Sequence, residues 1–120
     1  MLTSKYLSFS RNIMTDILEI TPTQFCERWP DKEVTILDVR ETKELELASL
    51  EGTKHMPMME IPNRLEELSN SETLVIMCHS GGRSRRVAEF LLASGFNKVF
   101  NLTGGIDAWA SEIDPTIPRY

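Results

Sequence analysis

Cysteine is scarce: Cys26 and Cys78 are the only two in 120 residues, and they form no Cys-x-x-Cys pair. Secreted disulfide scaffolds are denser in cysteine, so a reducing, cytoplasmic setting is expected. Long apolar runs are missing too. None approaches the roughly 20 residues that cross a bilayer, and no membrane partner is expected. Basic residues are outnumbered, thirteen to eighteen, which leaves a net charge of −5 and no basic stripe. That balance argues against nucleic acid and anionic membrane surfaces as partners. An anionic substrate would have to be attracted by local groups, against the net charge.

What remains is an ordinary globular mixture, 41% hydrophobic and 26% charged, without internal repeats or low-complexity segments. It is enough for one domain with a single continuous core. The first fourteen residues, MLTSKYLSFSRNIM, hold Lys5 and Arg11 but no acid, and lack the continuous apolar centre of a secretory signal. Residues 1–14 are therefore expected to form a flexible tail, or an upstream start with Met14 as the true beginning. Residues 15–120 are expected to form the domain.

Short β-like runs alternate with helical patterns. Residues 17–20 read as a brief strand. Thr21-Pro22 then opens a helix in which Phe25 and Trp29 share a face before Pro30. Val34 to Val39 is β-branched and apolar, a buried strand. Glu41 to Leu50 is expected to be helical with Leu45 inward and Leu47 or Ala48 beside it, and Thr53 to Met56 a short strand. Pro57 and Pro62 bracket a loop, and Leu65 and Leu68 suggest a short helix. Thr73 to Met77 is a strand, and Ser84 to Ser94 a helix with Val87, Ala88, Leu91 and Leu92 on one face. Gly95 supplies a left-handed cap. Val99 to Leu102 is the last strand, followed by Gly104-Gly105 and a helical turn through Trp109. The Pro-rich segment 114–120 is expected to pack along the surface. This alternation predicts an α/β fold: a mainly parallel five-stranded sheet flanked by helices on both faces. Ligands of such sheets lie beyond the carboxyl ends of the strands.

Cys78 stands at that place, directly after an apolar strand, and His79-Ser80-Gly81-Gly82-Arg83-Ser84 leads from it into a helix. A free thiol with a pKa near ~8.5 yields little thiolate at neutral pH unless something stabilises it. The helix dipole contributes about 0.3–1 kcal/mol, whereas each N–H bond to a charged acceptor contributes roughly 1.5–3. Loop geometry should therefore decide reactivity. Gly81 and Gly82 let successive N–H groups converge without Cβ clashes, and Ser80 and Ser84 can add hydroxyl donors. The plainer alternative is a buried strand-end cysteine beside an ordinary turn. Coincidence of strand, Cys, glycines, Arg and helix favours a nucleophile, Cys78, exposed at the mouth of its loop.

Cys-x-x-Gly-x-Arg in this setting resembles the active loop of the rhodanese family of sulfurtransferases. Asp38-Val39-Arg40-Glu41 is similar to that family's Asp-Val-Arg segment, and residues 101–109, NLTGGIDAW, to its Gly-Gly-x-x-x-Trp segment. Ser49-Leu50-Glu51-Gly52-Thr53 departs from the family's His-Ile-Pro-Gly-Ala, keeping only the Gly. The resemblance implies a rhodanese-like fold and ping-pong transfer of sulfane sulfur through a Cys78 persulfide. The donor would be thiosulfate or a persulfide, and the acceptor a thiol or cyanide, with a protein donor or acceptor also conceivable. The N–H groups of residues 79 to 83 would cradle the terminal sulfur. No cofactor and no metal is implied. Four residues separate Cys78 from Arg83, as in sulfur-handling members. Phosphatase and arsenate-reductase relatives have one more, so a cysteine phosphatase or arsenate reductase is the lesser alternative. A persulfide carrier or docking module with little small-donor turnover is the other.

Arg83 either binds the anionic part of a donor or braces the loop by pairing with Glu44 or Asp38. His79 is expected at the rim, in contact with donor or acceptor, or simply solvated. Asp38 and Arg40 border the pocket or form a structural ion pair. Cys26, Cys78, His55 and His79 match no zinc spacing. Cys26 reads as structural. Met56, Met58 and Met59 fill the core or form an apolar rim.

Overall fold

The computed structural model describes residues 17–31 and 33–120, so the expected tail over 1–14 lies outside the described residues. Among the described residues five strands form one sheet: β1 (Leu18–Ile20), β2 (Thr35–Asp38), β3 (Lys54–His55), β4 (Leu74–Met77) and β5 (Val99–Leu102). Their order is β1-β5-β4-β2-β3, and every pairing is parallel. Among the described residues three α-helices lie between strands, α1 (Pro22–Arg28), α2 (Thr42–Leu47) and α3 (Gly82–Ala93), and a fourth, α4 (Gly105–Glu112), follows β5. Two 3₁₀ helices, Met58–Asn63 and Leu65–Glu67, fill the crossover from β3 to β4.

The three inner strands, β2, β4 and β5, are buried at consecutive positions because both faces of the sheet are covered. Leu37, Leu74, Ile76 and Val99 pack with Val87, Ala88 and Leu91 of α3 and with Ile61. Their neighbours Ile36, Val75, Met77, Phe100 and Leu102 point the other way, onto Phe25 of α1 and Ile106 and Trp109 of α4. On that second face Phe25 lies 5.4 Å from Trp29 and 5.6 Å from Trp109, ring centre to ring centre. The sheet and its two helical layers thus match the expected α/β architecture.

Two local expectations need correction. The helix expected over 41–50 ends at Leu47, because Ala48 takes extended backbone. Leu47 is left exposed, and Ala48 with Leu50 turns into the core instead. The loop expected between Pro57 and Pro62 is a 3₁₀ helix with Pro62 inside it. Pro62 lacks an N–H, but the turn is closed by Glu60 N–H to the Pro57 carbonyl and Arg64 N–H to that of Ile61. Among the described residues no helix is long and apolar enough to cross a membrane.

Candidate active site

All four residues of β4 are buried, and the chain leaves that strand at Cys78. The central strand therefore delivers the thiol to the carboxyl edge of the sheet. Gly81, at φ +111°, turns the chain so that α3 begins at Gly82. Amides at the start of a helix have no partner within it, and here those of Gly81 and Ser84 are turned to the sulfur. The Gly81 N–H donates to Cys78 Sγ at 3.1 Å, and the Ser84 hydroxyl lies 3.3 Å from the same atom. Gly82, paired with Gly81 in the sequence reading, needs no left-handed backbone, and a Cβ there would meet open space. Only the first of the two glycines is demanded by geometry.

A second helix pins the loop. At the start of α4 the Ile106 N–H donates to the Cys78 carbonyl at 2.9 Å, and the Asp107 N–H to that of His79 at 3.0 Å. This approach is close enough that a Cβ on Gly105 would overlap both carbonyls. The Gly-Gly pair is thus what lets one helix N-terminus sit under the Cys loop.

Burial pushes the Cys78 thiol up. Hydrogen bonds from the Ser84 hydroxyl and from the Ser84, Gly81 and Ser80 amides outweigh that effect, so its pKa is held below the ordinary thiol value. The thiol expected to be exposed is nevertheless only 1% accessible. Its sulfur sits at the floor of the loop, and polar donors converge on it there.

Around the rim, Arg83 makes a two-pronged pair with Glu44, Nη1 to Oε1 at 2.7 Å and Nη2 to Oε2 at 2.9 Å. That bond holds the Glu44 carboxyl down at about 2, against the opposing effect of burial. Asp38 is engaged elsewhere. It pairs with Arg40 at 2.8 Å, and both side chains are wholly buried. Arg40 reaches on to the Tyr120 hydroxyl at 2.9 Å, which itself donates to Glu44 at 2.8 Å. His79, expected to be open to the rim, instead stacks against the Tyr120 ring, 4.0 Å between centres and 10° from parallel. Its Nε2 is buried and, among the described residues, has no hydrogen-bond partner.

Three site residues escaped the sequence reading. Tyr120 comes from the Pro-rich segment expected merely to cover surface. Asn101 interrupts the otherwise apolar Val99–Leu102 strand, which is the signal that could have found it. Its carbonyl lies 2.5 Å from Ser84 Oγ, and its NH₂ faces Glu19. Glu19 is its register partner on β1. Cys26 lies partly buried against the second core, away from the loop. Among the described residues no three His, Cys, Asp or Glu side chains gather as metal ligands.

Residues 21–112 match the model of the rhodanese-like domain. The chain is 36% identical over 93 residues to a sulfurtransferase of Allochromatium vinosum, covering 77% of this chain and 87% of that one. It is 40% identical over 92 residues to a chloroplastic rhodanese-like/PpiC domain-containing protein of Arabidopsis thaliana. That match takes in 73% of this chain but only 31% of the longer relative. The solved structure of a rhodanese-like domain protein from Staphylococcus aureus superposes with a TM-score of 0.74 at 30% identity. The superposition covers 87% of this chain and 99% of that one.

Proposed function

The chain belongs to the rhodanese-like domain family, and from that premise we propose that it is a sulfurtransferase whose nucleophile is Cys78. One observation carries the proposal: a loop amide and a serine hydroxyl both aim at a single sulfur at the start of α3. Such donors favour thiolate, and the same ring suits the anion that forms when sulfur is added.

The Cys78 thiolate attacks the outer sulfur of thiosulfate or of a persulfide. The donor's S–S bond breaks, and sulfite or a thiolate leaves with the electron pair. An acceptor thiolate or cyanide then attacks the outer sulfur of Cys78–S–S⁻ and restores the thiolate. No external oxidant or reductant enters this cycle. The four-residue spacing from Cys78 to Arg83 speaks for sulfur over phosphate or arsenate. The thiol's depth and the Tyr120 ring over His79 favour a second reading, in which a docked partner loads Cys78 and small donors react slowly. We place the activity in the reducing cytoplasm.

Intact mass after incubation with thiosulfate, or with glutathione persulfide, tests both readings. A one-sulfur adduct absent from Cys78→Ala supports transfer. Absence of an adduct with every sulfane donor removes it, and loading only by a protein donor selects the carrier.

A further inference from the structure

Ser84 has one hydroxyl proton and two acceptors within reach. Its Oγ lies 3.3 Å from Cys78 Sγ and 2.5 Å from Asn101 Oδ1. The far end of the Asn101 amide settles its orientation. Nδ2 is 3.1 Å from each Glu19 carboxylate oxygen and 3.2 Å from the Gly81 carbonyl oxygen. All three can only accept, so the NH₂ must face them and the carbonyl must face Ser84. Glu19 is held in turn by the Thr103 hydroxyl at 2.7 Å and by Arg85 at 2.8 Å. Ser84 and Asn101 are both buried, so bulk water does not serve either one.

We propose that Asn101, fixed by Glu19, is a positioning residue that competes with Cys78 for the Ser84 proton and so sets how readily Cys78 ionises. With a thiol at position 78, S–H donates to Ser84 Oγ, Ser84 donates to Asn101, and every group is matched. With a thiolate, the sulfur claims the Ser84 proton. Asn101 Oδ1 then faces the lone pairs of Ser84 with nothing between them. Asn101 thus favours the protonated thiol and opposes the loop amides. On the sulfur-transfer reading, loading moves the negative charge to the outer sulfur, the Ser84 proton returns to Asn101, and the conflict vanishes.

Other charges near the thiol act differently. Arg83 of α3 favours thiolate and is tied to Glu44 of α2. At the end of β2, Asp38 and Arg40 compensate each other, as Glu19 of β1 and Arg85 of α3 do. His79 lies under Tyr120, and Asp107 of α4 is paired with Arg119. None of these shares a proton with Ser84.

The test is the pH profile of Cys78 alkylation by iodoacetamide on the full chain, read at the Cys78 peptide by mass spectrometry. Asn101→Leu should speed alkylation at neutral pH roughly tenfold, with the midpoint about one unit lower. Ser84→Ala should slow it, and adding Asn101→Leu to that variant should change nothing further. Glu19→Ala loosens the Asn101 amide and should speed alkylation about threefold. Glu19→Gln offers a carbonyl to the same NH₂ and should restore the original profile. The proposal is overturned if Asn101→Leu fails to lower the midpoint, or if its effect survives in Ser84→Ala. Equal shifts in Glu19→Ala and Glu19→Gln would also overturn it, because charge alone would then explain them. Should Asn101→Leu not fold, the exposed Glu19 pair decides. Alkylation uses no sulfur donor, so failure here leaves the sulfur-transfer reading standing, and failure of that reading leaves this result intact.

Discussion

Gly105→Ala tests whether the approach of α4 builds the Cys78 loop. Gly105 has φ +61°, a left-handed backbone that disfavours a side chain by roughly 1–2 kcal/mol. The new Cβ would overlap the carbonyls of Cys78 and His79, which are backbone and cannot swing aside. Relief requires α4 to withdraw, breaking the N–H bonds from Ile106 and Asp107. At about 0.5–1.5 kcal/mol each, these bring the loss to roughly 2–5 kcal/mol. A domain of this size should then melt on the order of 10–20 °C lower. A loop released from α4 also draws the Gly81 amide away from the sulfur, and alkylation of Cys78 at neutral pH should slow about tenfold. Gly82→Ala is the control. Its Cβ meets open space at the first position of α3, so melting should hold or rise slightly. Differential scanning calorimetry and iodoacetamide kinetics read both effects. A Gly105→Ala protein that melts and alkylates like the parent would refute the reasoning.

Two further outcomes follow from the rim. Tyr120→Phe removes the oxygen that accepts from the fully buried Arg40, and urea unfolding should show about 1–3 kcal/mol lost. Tyr120→Ala also uncovers His79 and should speed Cys78 alkylation, which Tyr120→Phe, keeping the ring, should not. Glu44 lies at about 2 in the folded chain against an ordinary 4.5, so its pair stabilises above about pH 4.5 and is lost as pH falls toward 2. That difference sets an upper bound of about 3 kcal/mol. Glu44→Gln should flatten this acid limb in urea titrations across that window, and an unchanged limb would count against the pair.

The sheet was legible because strand signals are local. Thr73 to Met77 and Val99 to Leu102 carry apolar runs too short for helices, and each sits between turn residues. The Cys78 loop was legible for the same reason, since Gly81, Arg83 and the start of α3 follow within six residues. Contacts made at long range were not. Tyr120 meets His79 across 41 residues, and no periodicity near position 120 announces a ring on the loop. Glu19 reads as an ordinary polar residue on a short strand until β1 pairs with β5 and sets it beside Asn101. The depth of Cys78 also escaped. Sequence order says that donors surround a thiol, but the packing of two helix N-termini decides whether solvent reaches it.

β1 is three residues long and, among the described residues, pairs on one side only, along β5. The perimeter of a sheet opens before its centre does. Glu19 rides on that perimeter, so the group that steers Asn101 belongs to one of the least anchored strands. Amide exchange along Leu18–Ile20 and the reactivity of the sulfur should accordingly change in step with temperature.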